Sequence, residues 1–503
     1  MFQRKPNSPQ LETPQRESFP TFRRWARLDF PTLRRLWRFS WKIATRLPFV
    51  SRAWWKRNGR RLAATCLALA AIWTATNIYA TILLNRELEA IRQRGEPLTM
   101  AELAPPPVPD NQNAALAYER AYKTLKKLPW TGGMEWNPTT IHGGLKKPLS
   151  PQQVSLIRRC VLQQCRPAIE MTRQASRLPL YRSSMNWSQS ATTLEFTQLA
   201  PLRELARLMN AAAIQEAQDG QTEQAIADVG VIYYLGEHIA SDPVLVPLLV
   251  SVAINNMGHD ALAQVFEYSK LTAAQQIAVE AIFPRLDQEE NYARAMRGER
   301  TCIHSTFQEL IASQTTMLEV SKLIGGSEDA ADNVYMSVLF LMSTRFGRIL
   351  WCPMIKLDEV WFLRSNPANT QPLSLTSVPD YAIFTKLFLQ SYQNAHAGVE
   401  RANDLENIAR IALALNVWKN THKTYPKYLS AFKTFQMPSL QNALNRKTIG
   451  YKTEGNQFLL YSFGVNRRDD GGKSCKFNVI EQAMEGEGDD VTWNQSLGQK
   501  PRS

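Results

Sequence analysis

Near the carboxyl end, two acidic, glycine-bearing stretches, VNRRDDGGK and EGEGDDVTW, set Asp469-Asp470 and Asp489-Asp490 in separate loops. Paired carboxylates are hard oxygen donors and suit Ca2+ if the two loops converge. Gly471 and Gly472, beside the first pair, leave room for backbone carbonyls to join such a shell. The plainer reading is a solvated acidic turn, since Arg467, Arg468 and Lys473 share the loop.

Elsewhere the chemistry-bearing residues are scattered. The histidines His142, His238, His259, His304, His396 and His422 show no metal-ligand spacing, so each reads as a satisfied or surface imidazole. HExxH, GxSxG, Walker and Rossmann patterns are absent, and no catalytic residue is nominated. The dense run Asp287, Glu289, Glu290, Arg294, Arg297, Glu299 and Arg300 reads as an exposed ion-pair face rather than an acid/base dyad. Cys160 and Cys165 would stand about 140° apart on a helix, so a bridge between them would require the helix to break. Five cysteines lie outside the apolar segment described next, so an odd count leaves at least one free thiol.

The elements that must carry these residues begin with a charge step. Residues 1–61 hold sixteen Lys and Arg against three acidic residues, which is nearly all of the chain's net charge of +14. Residues 62–84, LAATCLALAAIWTATNIYATILL, then carry no charge at all. As a helix they extend about 34 Å, enough for a ~30 Å hydrocarbon core. Thr65, Thr74, Thr76 and Thr81 are tolerable there because a hydroxyl bonds back to its own helix. Basic residues crowd the amino side, while Arg86, Glu87, Glu89 and Arg92 cancel on the other. The positive-inside rule therefore predicts a single-pass protein of a bacterial inner membrane, with a cytoplasmic amino terminus and an extracytoplasmic bulk. In the basic tail (1–61), Arg34, Arg35, Trp37, Arg38, Trp41, Trp54, Trp55, Arg60 and Arg61 fit an amphipathic surface lying on an anionic leaflet. The same mixture of rings and cations suits nucleic acid; the adjacent span makes the lipid bilayer the expected partner instead, with no nucleic acid.

Beyond the span, residues 85–109 read as a helical stalk and a Pro-rich spacer (PPPVP), after which Asp110 or Asn111 would cap a helix. Residues 110–364 read as an α-helical array domain, with helical periodicity dominating residues 151–300. One hairpin, bent at Asp219-Gly220 with Ala213 and Ala225 at close-packing places, resembles a tetratricopeptide hairpin. Glu216 stands where that pattern has an aromatic, and no copy recurs at the family's period. The expectation is helical hairpins stacked in a right-handed array. Residues 337–350, SVLFLMSTRFGRIL, are apolar, but Arg345 and Arg348 interrupt them, so a core helix is expected rather than a second membrane contact. Residues 365–399 read as a polar linker and connecting helix, and 496–503 as a disordered tail. The fold class is mainly α: a transmembrane helix, a helical-hairpin array, then a small α+β domain at 400–495.

That last domain resembles a known family. ARIALALNVWKNTHKTYPKYLSAF followed by IGYKTEGNQFLLYSFGVNRRDDGG is similar to the globular domain of type II secretion major pseudopilins. The matching positions are Tyr425, Pro426, Leu429, Tyr451, Leu460, Tyr461, Ser462, Gly464, Asp469, Asp470 and Gly471. The resemblance implies a helix packed on a small antiparallel sheet, and Ca2+ in the acidic loop. The chain departs from the family at Arg60-Arg61-Leu62, which is not a prepilin cleavage site, and at Asn445-Arg446-Lys447-Thr448, where a DPxxG-type turn is usual. The whole layout resembles single-span envelope proteins that some bacteria encode in many copies, a likeness that carries no activity with it. The expected role is non-enzymatic: protein interaction or assembly at the membrane, with a protein or peptide partner in the envelope. The alternatives are an anchored extracytoplasmic hydrolase and a component of a type II secretion or pilus-like apparatus.

Overall fold

An uncharged run after a basic one favours a long helix, and helix α1 (Arg52–Gln93) is unbroken through it. The computed structural model describes residues 52–128, 151–284, 288–312, 345–365, 377–434, 449–455, 457–473, 475–478, 483–486 and 488–493. The chain divides into two units, Met1–Thr76 and Asn77–Ser503, with the division inside α1. Among the described residues, the segment Asn58–Gln93 is the one helix long and apolar enough to cross a membrane. In the first unit Leu67 and Ile72 are 71% and 63% exposed. The hydroxyls of Thr65, Thr74 and Thr76 donate to the carbonyls of Arg61, Ala70 and Ile72 at 2.8–2.9 Å, so the helix satisfies its own polar groups.

The second unit is mainly helical. It holds α2 (Met100–Leu103), α3 (Ala114–Lys127), α4 (Pro151–Ser176), α5 (Leu199–Gln218), α6 (Thr222–Ala240), α7 (Leu245–Tyr268), α8 (Ala273–Ile282), α9 (Gln288–Ile311), α10 (Arg345–Arg364) and α11 (Ile383–His422). Helices α3 to α7 each pack on the next, and α5 also reaches α7. The expected bend at Gly220 is present. Its φ of +77° suits glycine, and Gln221 N and Gly220 N donate to the carbonyls of Glu216 and Ala217, closing α5 with a Schellman motif. Cys160 and Cys165 sit on unbroken α4, both as free thiols.

Strands follow the last helix. β1 (Ile449–Glu454), β2 (Gln457–Ser462) and β5 (Val491–Thr492) form one antiparallel sheet in the order β1-β2-β5. β3 (Cys475–Asn478) and β4 (Ala483–Gly486) pair as a separate hairpin. Tyr451 lies opposite Leu460, and Gly450 opposite Tyr461. Tyr425 meets Phe458 edge-on at 4.9 Å, and the Tyr451 hydroxyl donates to the Pro426 carbonyl at 2.8 Å.

Two large cores lie within this unit. The first joins α3 to α8 with Ile408, Ile411, Ala412 and Leu415 of α11 and with Phe432, Phe458, Leu460 and Trp493. The second joins Leu84 and Ile91 of α1 with α9, α10 and the early turns of α11. Position 400, the boundary read from the sequence, therefore falls inside a continuous 40-residue helix that serves both cores. A small third core gathers Met100, Leu103, Met185, Trp187, Val244 and Cys302.

Three local readings are corrected. The cap of α3 is Asn113, not Asp110 or Asn111: its Oδ1 accepts from Ala115 N at 3.0 Å. The charge run near 290 is not simply a solvated face. Glu299 is half-buried and accepts from Leu245 N at the start of α7 at 2.9 Å, and Arg300 is 3% exposed and pairs with Glu96 at 2.6 Å. On α10, Ile355, Val360, Phe362 and Leu363 enter the core, but Ile349 and Leu350 at its start remain exposed; residues 337–344 of that expected core helix lie outside the described residues.

Candidate functional site

The sequence-nominated carboxylates do meet. The backbone N–H of Asp489 donates to Asp470 Oδ2 at 2.8 Å, and those of Gly472 and Asp470 donate to Asp490 at 2.7 and 3.4 Å. Asp489 Oδ2 accepts from Asn466 N at 2.9 Å, and Arg401 of α11 pairs with its other oxygen. Asp469 Oδ1 accepts from Gly471 N at 2.9 Å and from the Tyr461 hydroxyl at 2.8 Å. The two loops thus close on each other through carboxylate-to-amide bonds. A hard cation needs these same oxygens, and the donors aimed at them are positive. Among the described residues no three His, Cys, Asp or Glu side chains are grouped as a metal ion requires, so the arrangement does not fit Ca2+.

Of the nominated membrane-surface residues, Arg60 and Arg61 lie exposed on α1. Trp54 and Trp55 stand in its first turns. Arg34, Arg35, Trp37, Arg38 and Trp41 lie outside the described residues.

The densest buried polar chemistry was not nominated by the sequence. His238, in the last turn of α6, has Nε2 3.1 Å from the Leu178 carbonyl and Nδ1 3.0 Å from the Tyr118 hydroxyl. A carbonyl only accepts, so Nε2 carries the proton and Tyr118 donates to Nδ1. Burial pushes the imidazole down to about 4. The Tyr181 ring stacks on it at 5.9 Å, from a loop that Asn113 holds by exchanging bonds with Arg182.

One turn on, Asp242 is 1% exposed, and burial pushes its carboxyl up to about 7. Ser183 lies beside it and partly offsets that rise, yet neither carboxylate oxygen completes a hydrogen bond, nor do the hydroxyls of Tyr181 and Ser183. A carboxyl pushed toward neutrality is acid/base equipment, but Asp242 is shut inside the protein. The only hint in the sequence was the i, i+4 spacing of His238 and Asp242, which any helix face shares.

A second buried network centres on Arg173 of α4. Its guanidinium forks onto Asp228 at 2.7 and 2.8 Å and also reaches Glu216 at 2.8 Å and Glu170 at 3.0 Å. Burial, then the Asp228 charge, pushes Glu216 up to about 8. This explains why a carboxylate, not an aromatic, stands at Glu216: three helices share one cation there. His304 pairs with the fully buried Glu359 at 2.5 Å, and Gln308 also donates to Glu359. Its neighbour Asp358 accepts from Phe384 N, Thr385 N and the Thr385 hydroxyl and so caps α11. Asp242 apart, these groups join elements of the scaffold. An open groove of about 450 Å3 along α1 is lined by Ile82, Asn85, Arg86, Glu89, Ala90 and Gln93, with no cluster of catalytic side chains in it.

No known family, curated protein or solved structure matches the chain.

Proposed function

We propose that this chain is a bacterial envelope protein held in the inner membrane by α1, with an extracytoplasmic helical scaffold that binds a protein or peptide partner. The observation that carries this reading is the exposed, uncharged stretch of α1, whose threonine hydroxyls are satisfied within the helix. A water-soluble protein would bury such a surface. The basic flank orients the span with its amino end inside. The hydrogen-bonded titratable groups of the scaffold support a binding rather than catalytic role, because His238, Arg173, Glu359 and Asp358 each tie one element to another. Protease added to intact spheroplasts should digest the large carboxyl-side portion; its survival there, with loss only after permeabilisation, would overturn the topology. Chemical crosslinking in membranes followed by detergent purification should recover a defined envelope partner.

A second reading, association with a type II secretion or pilus-like apparatus, is favoured by the contacts among Pro426, Tyr451, Phe458, Tyr461 and Asp469. These bonds fall largely on the positions that resemble a pseudopilin globular domain. Co-purification with pilin-like subunits tests it, and their absence from a membrane pull-down counts against it.

A further inference from the structure

We propose that the outer edge of β1 pairs with the same edge of a second copy of this chain, in a register set by Lys452 and Glu454. The inference stands on the sheet alone and not on the reading of α1. The strand order β1-β2-β5 puts β1 at a border, and among the described residues no strand lies on its other side. One bond fixes which way its backbone faces. Trp493 N donates to the Leu460 carbonyl at 3.0 Å, so Leu460 turns its backbone toward β5 and away from β1. Tyr451 stands opposite Leu460, and in an antiparallel ladder such a pair exchanges no bonds. The backbone groups of Tyr451 therefore face outward, and by the same alternation so do those of Ile449 and Thr453. A row of outward N–H and C=O groups is a template for another strand.

The side chains choose that strand. Lys452 and Glu454 are both exposed and, two residues apart, share one face of the sheet. Antiparallel pairing of two copies about a two-fold axis at Thr453 sets Thr453 against its own counterpart as a hydrogen-bonded pair. It also sets each Lys452 directly across from Glu454 of the second copy, twice by symmetry. Opposite charges in that position favour a strand pair and like charges oppose it. Moving the axis to Lys452 would face the two ammonium groups, and moving it to Tyr451 would set Lys452 against Gly450. A lysine alone would guard an edge against pairing, but with Glu454 beside it the edge is its own complement. The two sheets then continue as one, in the order β5-β2-β1-β1-β2-β5.

Sedimentation of the full chain in detergent tests the pairing and should show a concentration-dependent dimer. Lys452→Glu and, in a second variant, Glu454→Lys should each weaken it by about tenfold, because both cross-strand pairs become like-charged. An equal mixture of the two variants should associate as the parent does, since every pair is opposite again, a recovery that misfolding cannot give. Thr453→Cys, in a chain that also carries Cys66→Ser and Cys160→Ser to remove its exposed thiols, should form an intermolecular disulfide on mild oxidation, because hydrogen-bonded partners stand ~5.5 Å apart at Cα. Tyr428→Cys, exposed elsewhere, should not in the same background. A monomer at every concentration, a dimer unmoved by either reversal, a mixture that stays apart, or equal crosslinking at 453 and 428 would overturn the proposal.

Discussion

The hydroxyl of Tyr118 on α3 donates to Nδ1 of His238 on α6 across 3.0 Å, joining positions 120 residues apart. Because the opposite nitrogen gives its proton to Leu178, the imidazole is fixed as one neutral tautomer. Tyr118→Phe removes the donor and leaves Nδ1 unsatisfied, which should cost about 1 kcal/mol. The folded pKa of about 4 lies below the ordinary 6.5, so the unfolded chain binds the extra proton first. The stability that neutral His238 contributes is present above pH 6.5 and is lost as pH falls toward 4. Denaturant melts of the detergent-solubilised protein across that window, with His238→Gln as the control that flattens the slope, check both points.

Asp242 has the opposite sign. Its folded pKa of about 7 exceeds the ordinary 3.8, so the folded state holds the proton more tightly, and stability grows as pH falls from about 7 toward 3.8. Asp242→Asn removes the cost of a buried charge. It should raise stability at mildly alkaline pH by roughly 2 kcal/mol and have little effect in mild acid. Melts at the two pH values decide the matter; equal effects at both would refute it.

Arg173 holds two buried carboxylates, and its loss strands them. Arg173→Met should destabilise by about 3–5 kcal/mol. Adding Asp228→Leu should restore part of that, because the second substitution removes one stranded charge. A double-mutant cycle on denaturant midpoints measures the coupling.

At Gly298 of α9 an added Cβ would overlap the carbonyl oxygen of Pro243, whereas at Gly398 of α11 it would meet open space. Gly298→Ala should therefore cost about 2–3 kcal/mol through overpacking, while Gly398→Ala should stabilise by up to about 1 kcal/mol through helix propensity. Thermal melts of the two variants side by side test the close approach of α9 to the loop between α6 and α7.

The acidic loops offer a direct assay for Ca2+. Their oxygens already accept from backbone N–H groups and Arg401, so millimolar Ca2+ should leave Tm where a chelator leaves it. A clear rise in Tm with the cation would show that the loops rearrange around it. Asp490→Asn, by contrast, should lower stability by about 1 kcal/mol by weakening the bonds from Gly472 and Asp470.

Periodicity and composition carried the helices, because an apolar stripe at helical spacing needs no partner to be recognised. The long apolar helix and the Gly220 bend were legible for the same reason: an uncharged run and a left-handed glycine are local signals. What stayed hidden depends on contacts between distant segments. Glu299 and Arg300 have the spacing of a surface ion-pair run, and only their meetings with Leu245 and Glu96 show that they face inward. Asn113 is one of several cap-forming residues in a short stretch, and its bonds to Arg182 set it apart. Glu216 did leave a trace, as the misfit in a tetratricopeptide-like hairpin, but nothing local named Arg173 as the reason. The four aspartates were found by type, while the amides that engage them are invisible in a list of side chains.

Helix α11 is 40 residues long, a rod of about 60 Å. It is rooted among Phe384, Phe388 and Tyr392 at one end and carries Ile408, Ile411 and Leu415 toward the sheet at the other. Tension applied at the strands would travel down this rod without meeting a hinge among the described residues, loading the helices that grip α1. A pull on the carboxyl end would in that way reach Leu84 and Ile91 of α1 through the core they share with α11.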